Sequence, residues 1–372
     1  MGQDNALSTE ELSVWPLLLG TLTMLVFALP LLPAVLEWRR RRDIRPLAID
    51  GEHTLDVAAV AAVFRAMVER QDEKTGQRGL AHPVSALRPV VHLTGTFMPT
   101  AAEAFLGVCA RTIVTSGSLV LPDNYTFSRD IYGRRGIATG RRNRMQVLLS
   151  EGEILMRSGS ELQRWAHARS VHVEPQCRLL GPLSALYSIR LEDECEFTSV
   201  SAAVIGFGPR HLAAPPDMEA TAPSGGDWAH AVMNPAEAAN GRWLVTHDLT
   251  FPANTLYRGD LVVHGDLWIG TGARIIGSVK ASGSIWLGAR VRIEGAMIAA
   301  GAISVARECV IAGPVAAERE IDVGARCTIG AADKRTTLVA PVLHVRAGTV
   351  VYGAACAPEE GKVVSDGQVA SP

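Results

Sequence analysis

The sequence predicts an all-β chain: a β-solenoid (β-helix) wound in coils of 18 residues, preceded by an N-terminal transmembrane helix and a short helical region. Three observations carry that expectation. Apolar residues recur at every sixth position over the C-terminal third, segments resemble one another at a spacing of 18, and 23 uncharged residues run from Val14 to Leu36.

The apolar run comes first. At ~1.5 Å per residue, a helix of that length spans the ~30 Å hydrocarbon layer of a bilayer. The first thirteen residues hold Asp4, Glu10 and Glu11 and no Lys or Arg, unlike the basic start of a secretory signal. Trp15 and Trp38 stand near the two expected interfaces, and Arg39, Arg40, Arg41 and Arg42 follow the run. The bias of Lys and Arg toward the cytoplasmic side then gives an outside N-terminus and a cytoplasmic C-terminal region. Beyond the anchor, LDVAAVAAVFRAMVERQ places Val57, Val60, Ala61, Phe64, Met67 and Val68 at helical spacing, with Thr54 and Asp56 as start signals. This helix is expected to pack on the solenoid or pair with another copy.

The repeat is clearest from Ile269. Ile269, Ile275, Ala281, Leu287, Ile293, Ala299, Val305, Ile311, Ala317, Val323 and Ile329 form a sixfold apolar series, and a second apolar series, Ala273 to Cys327, lies four residues after each member up to Val323. IGTGARI, LGARVRI, VARECVI and VGARCTI repeat at 18, so three hexads make one coil. Alternating side chains would then fill a narrow interior that accepts small or branched groups. The candidate core is Ile269, Ile275, Leu287, Ile293, Val305, Ile311, Val323 and Ile329. Arg290, Glu308 and Arg326 share an outward column and alternate in sign, as an ion-pair ladder requires. The end of the repeat runs apolar, which makes Val350 and Val351 the candidate self-association end.

An upstream block carries the register more loosely, through Val173, Leu179, Ala185, Leu191 and Phe197 with Cys177, Leu183, Ile189 and Cys195. LPDNYTF from Leu121 resembles FPANTLY from Phe251, so the two blocks are expected to begin alike. The predicted organisation is a non-cytoplasmic N-terminus over 1–13, the span over 14–36, a basic juxtamembrane segment and helical connector over 37–110, and a first solenoid block over 111–205. A Pro- and Ala-rich linker over 206–240, a second β-helix over 241–355 and a disordered tail over 356–372 complete it.

Composition excludes several classes. Lys and Arg total 36 against 38 Asp and Glu, a net charge of −2 that gives no field for nucleic acid. The cysteines Cys109, Cys177, Cys195, Cys309, Cys327 and Cys356 form no CxxC pair, and four of them fall in one apolar slot of the repeat, as packed thiols do. No metal ligand, cofactor-binding residue or catalytic residue is assigned. Arg134, Arg135, Arg141, Arg142 and Arg144 form a local basic cluster, read either as a face toward anionic lipid or as a solvated loop.

The run RGDLVVHGDLWIGTGARIIGSVKASGSIWLGARVRIEGAMIAAGAISV, with its alternating apolar residues and Gly and Ala at fixed offsets, resembles the bactofilins, a bacterial polymer-forming cytoskeletal family, over about residues 243–353. The resemblance implies a β-helix that assembles end to end without nucleotide, often at the membrane, and localises envelope-building enzymes. A chain of this kind would sit in the bacterial inner membrane as a single-pass scaffold, partnered by lipid, by itself, and by envelope-biosynthesis or polysaccharide-secretion proteins. The hexad pattern is also similar to that of left-handed β-helix acyltransferases, whose histidine base would have to be His247, His264 or His344.

Overall fold

The computed structural model describes residues 18–20, 22–24, 57–76, 90–209 and 242–365. The chain divides into two compact units, 1–54 and 55–372. In the first, residues 18–20 and 22–24 are helical, and the Thr23 hydroxyl donates to the Leu19 carbonyl at 2.7 Å, a contact between successive helical turns. The rest of the expected span, with Trp15, Trp38 and Arg39 to Arg42, lies outside the described residues. Among the described residues, no helix is long and apolar enough to cross a membrane.

The second unit is a β-solenoid of about 13 turns. As far as Ile329 each coil of its second block has three short strands, and every strand pairs in parallel with the equivalent strand of the next coil. Leu267, Ile285, Ile303 and Ile321 stand over one another at steps of 18, and so do Ile275, Ile293, Ile311 and Ile329. Both apolar series of the repeat point inward and are buried along their length. At one corner Gly277, Gly295 and Gly313 stack so closely that a Cβ on Gly295 would meet the Gly277 carbonyl at 2.4 Å, which leaves glycine as the residue that fits.

A second corner is shared by both blocks. Once per coil a residue enters the left-handed region: Gly107, Asn124, Arg142, Gly159, Gln176 and Glu194 in the first block, then Asn254, Gly272, Arg290, Glu308, Arg326 and Gly348 in the second, with φ between 53° and 80°. Asn124 and Asn254 belong to the matching heptapeptides LPDNYTF and FPANTLY and build the same turn, but Asn124 stands one coil after Gly107, so the two blocks do not begin alike. Asparagine tolerates this conformation at little cost. The strain at Arg or Glu is offset by cross-coil bonds, such as the Arg290 N–H to the Arg307 carbonyl at 3.1 Å.

The structure corrects three of the expected boundaries. The first block starts at the strand Val90–Leu93, which pairs with Thr112–Thr115, rather than at 111. Its last strand, Glu196–Phe207, runs into the expected linker. The expected disordered tail instead begins inside the strand Val350–Val364. The blocks are also joined directly. Glu196–Phe207 and Val350–Val364 pair antiparallel, the one antiparallel match among otherwise parallel pairings of the described strands. Reciprocal bonds stitch the corners: Glu194 N–H to the Val363 carbonyl at 2.9 Å, and Gly348 N–H to the Phe207 carbonyl at 2.8 Å. One hydrophobic core passes through the junction.

Helix α1 (Val57–Gly76) packs on the outside of the first block. Val57, Ala61 and Val68 are buried, and Phe64 inserts edge-on between Tyr132 at 6.5 Å and Trp165 at 6.2 Å. Val60 and Met67, expected on the same apolar stripe, are exposed. Arg65 pairs with Glu151 at 3.0 Å, and the same carboxylate accepts the Tyr132 hydroxyl at 2.5 Å. Burial, followed by this bond to a carboxylate, pushes the Tyr132 phenol up to about 12.

Candidate interaction surfaces

The expected core residues Ile269, Ile275, Leu287, Ile293, Val305, Ile311, Val323 and Ile329 are all buried. They build the scaffold and cannot touch a ligand. The candidate association end is a correction: Val350 and Val351 are not at a free end. Val351 lies between Ile329 of the preceding coil and Ile205 of the first block, and Val350 pairs with Thr328 and Gly206. An apolar terminal coil needs a partner for its backbone, and here the chain supplies one from its other block.

The tail-to-tail junction leaves the two opening coils as the solenoid's ends. At the second block's end, Arg242–Val245, Leu249–Phe251 and Leu256–Arg258 each pair on one side, with Asp260–Val263, Leu267–Ile269 and Arg274–Ile276 respectively. Among the described residues the opposite side of all three has no strand partner. The interior here is filled with rings: Trp243 and Phe251 lie 6.1 Å and 6.3 Å from Tyr257. Leu244 is half exposed.

At the first block's end Val90–Leu93, Val108–Cys109 and Ser118–Val120 also pair on one side among the described residues, but a helix covers the second of them. Helix α2 (Ala101–Leu106) lies there, started by a capping box in which the Glu103 N–H donates to the Thr100 hydroxyl and the Thr100 N–H donates to Glu103 Oε2. Glu103 is buried and receives Arg111 Nε at 2.6 Å, with Arg111 Nη2 on its other oxygen. Burial on its own would raise the Glu103 carboxyl. The Arg111 guanidinium and the Thr100 N–H outweigh it and hold the group at about 2. The sequence carried the signal for this cap in the pattern Thr100-x-x-Glu103, inside a stretch that had been assigned to the connector.

The outward columns hold charge ladders. Arg326 reaches Glu308 at 2.6 Å, within the column expected from the repeat. A longer ladder runs through the first block, where Arg144, Glu161, Arg178 and Glu196 stand in register and Lys362 of the second block continues it across the junction. On another face Trp268 and Trp286 stack in parallel with centroids 4.9 Å apart.

The histidines are not gathered into one site. His247 and His264 are exposed at the second block's opening corner, whereas His344 lies in a later coil with Nδ1 3.3 Å from Glu320. Cys177, Cys195, Cys309 and Cys327 are buried immediately after the left-handed corner residues, and their thiols donate to main-chain carbonyls at 3.1 to 3.3 Å. Among the described residues no group of three or more His, Cys, Asp or Glu is placed to hold a metal ion. Set against family profiles, curated proteins and solved structures, the chain matches none.

Proposed function

We propose that the chain is a membrane-anchored scaffold that joins copies of itself end to end and thereby localises cell-envelope machinery. The observation that carries this reading is the open coil at Arg242–Val245, Leu249–Phe251 and Leu256–Arg258. Three strand edges that have no partner among the described residues, beside the half-exposed Leu244, are a template for another strand. The internal junction supports the idea physically, because end coils of this solenoid already close on one another by backbone pairing within one chain. The uncharged run 14–36, followed by four arginines, supports a single-pass inner-membrane anchor with the solenoid in the cytoplasm. The resemblance to bactofilins supports polymer formation and recruitment of envelope-biosynthesis or polysaccharide-secretion proteins. Many anchored copies in one assembly would concentrate such partners by avidity.

Electron microscopy of the purified full chain tests the reading. A single solenoid of about 13 turns at ~4.8 Å per coil is roughly 60 Å long. Concentration-dependent linear assemblies of at least twice that length are expected, and Trp243→Lys or Leu244→Lys should return them to single solenoids. Discrete side-by-side trimers, whose cellular function is lost on changing His247, His264 or His344 to Ala, would replace the scaffold with an acyltransferase.

A further inference from the structure

We propose that the α2 corner of the first block is a docking surface for an anionic lipid bilayer, with Met98, Phe105 and Leu106 entering the interface and Arg141, Arg142 and Arg144 meeting the headgroups. The proposal rests on the membrane-anchored reading above and adds a second contact to it.

The helix is amphipathic the wrong way round for a soluble cap. Its buried side chain is the carboxylate of Glu103, while Phe105 is 90 % exposed, Leu106 67 % and the neighbouring Met98 78 %. It cannot roll to hide the ring, because Arg111 and the capping box hold Glu103 from two directions. Phe105 and Leu106 are therefore held outward, and the exposed Met98 lies just before the helix.

The arginines stand behind them at the same corner. Val108, just past the helix, pairs with Thr126, and Thr126 pairs with Arg144. Asn124 and Arg142 are the next two left-handed corner residues after Gly107, and the Asn124 N–H donates to the Arg141 carbonyl at 2.8 Å. Two strand spacings put Arg141, Arg142 and Arg144 about 10 Å behind the apolar tip. Interfacial helices bury their apolar face about 5–10 Å into the boundary between headgroups and acyl chains, so charges at this depth lie among the phosphates. All three arginines are exposed. The acids among them are engaged: Asp123 accepts the Arg141 N–H at 2.8 Å, and Glu161 lies 3.4 Å from Arg144.

A second copy fits this corner poorly. An isologous contact would set the arginines of both copies against each other, and the helix lies over Val108–Cys109, the strand nearest these arginines.

The test uses the full chain in nanodiscs of phosphatidylcholine alone or mixed equally with phosphatidylglycerol. An environment-sensitive dye is placed at Ala101→Cys in a Cys356→Ala background, where the remaining thiols are buried. Docking predicts strong quenching by spin-labelled lipid in the anionic discs, loss of it with Phe105→Asp and Leu106→Asp together, and a docked fraction lowered at least about tenfold by Arg141→Glu with Arg142→Glu. A dye that stays in water in both lipids while the protein is incorporated overturns the docking and leaves the anchor reading standing. Dye burial that grows with protein concentration without lipid quenching also overturns it, in favour of a second copy. If the chain stays out of the discs, the anchor reading fails; docking is then decided by flotation with vesicles of the same two compositions, where binding to neither overturns it.

Discussion

The first block runs in strands of up to 13 residues (Glu161–Val173) with coil steps that vary between 16 and 18 residues after a first step of 22. The second block keeps strands of 2 to 4 residues and a step of 18 from Arg242 to Ile329. The cores differ accordingly. A constant step sets equivalent residues over one another in an interior of fixed width, and Ile, Val, Ala, Leu, Met and Cys fill it beyond the opening coil. The varying step opens space for rings, and Phe127, Phe197 and Phe207 are buried in the first block. Bulk is admitted where the ladder is irregular, as at the register shifts between Phe127 and Asp130 and between Phe197 and Ser199. The first block also needs a helix, because Val114, Tyr132 and Leu149 form an outward apolar patch that α1 covers.

The largest expected effect breaks the strict block at its centre. Val305 is buried between Leu287 and Val323, and a carboxylate there has no partner and no room to reach water. Val305→Asp should cost about 4 kcal/mol or more and unfold or aggregate the protein. A melting temperature equal to the parent's would mean that the register is wrong.

Next in size is the junction, where the two blocks meet on unequal terms. Val351→Lys puts an ammonium between Ile205 and Ile329 and should lower stability by about 3 kcal/mol, seen as an earlier melting transition. If the variant melts normally and only shortens end-to-end assemblies, the junction is not formed and Val351 is an outer end after all.

How much of this was legible in the sequence follows the same division. From Arg242 to Ile329 the second block could be read closely because its step is constant, so a single period finds both inward series. In the first block, the step of 22 from Val90 to Thr112 hides the opening strand, and steps of 16 and 17 blur the rest. The last strand was missed for a local reason. Pro358, Glu359 and Glu360 look like a solvated tail and are exposed, yet Ala355, Ala357, Gly361 and Val363 around them point inward. The antiparallel junction had no local signal, since Glu196 and Lys362 are brought together by tertiary pairing alone. That pairing also takes Val350 and Val351 out of the candidate end and leaves the opening coil in their place, which changed the candidate site more than the fold.

The two ends give a smaller, pH-dependent contrast. Glu103 holds its proton less readily when folded than when unfolded, so the stability its carboxylate contributes to the α2 cap is fully present above about pH 4.5 and is lost as pH falls from there toward 2. Glu103→Gln should cost about 1–3 kcal/mol at neutral pH and flatten this acid limb. An unchanged acid limb in the variant, followed by hydrogen exchange at Val108–Cys109, would show that the cap does not depend on the carboxylate.

The smallest effect compares the two charge ladders. Arg178 stands between Glu161 and Glu196, and its Nε reaches Glu196 at 2.8 Å; Arg326 has Glu308 beside it at 2.6 Å. All four paired side chains are substantially exposed, so each pair is worth only about 0.2–1 kcal/mol. Reversal separates them. Arg178→Glu stacks three carboxylates at strand spacing next to the junction, whereas Arg326→Glu creates one new like-charge neighbour. The first reversal should therefore lower the melting temperature more than the second in low salt, and the difference should shrink in ~1 M salt, where the screening length falls to about 3 Å. Equal shifts at both salt concentrations would mean that these columns are solvated side by side and do not act as ladders, leaving core packing and backbone pairing to set the register in both blocks.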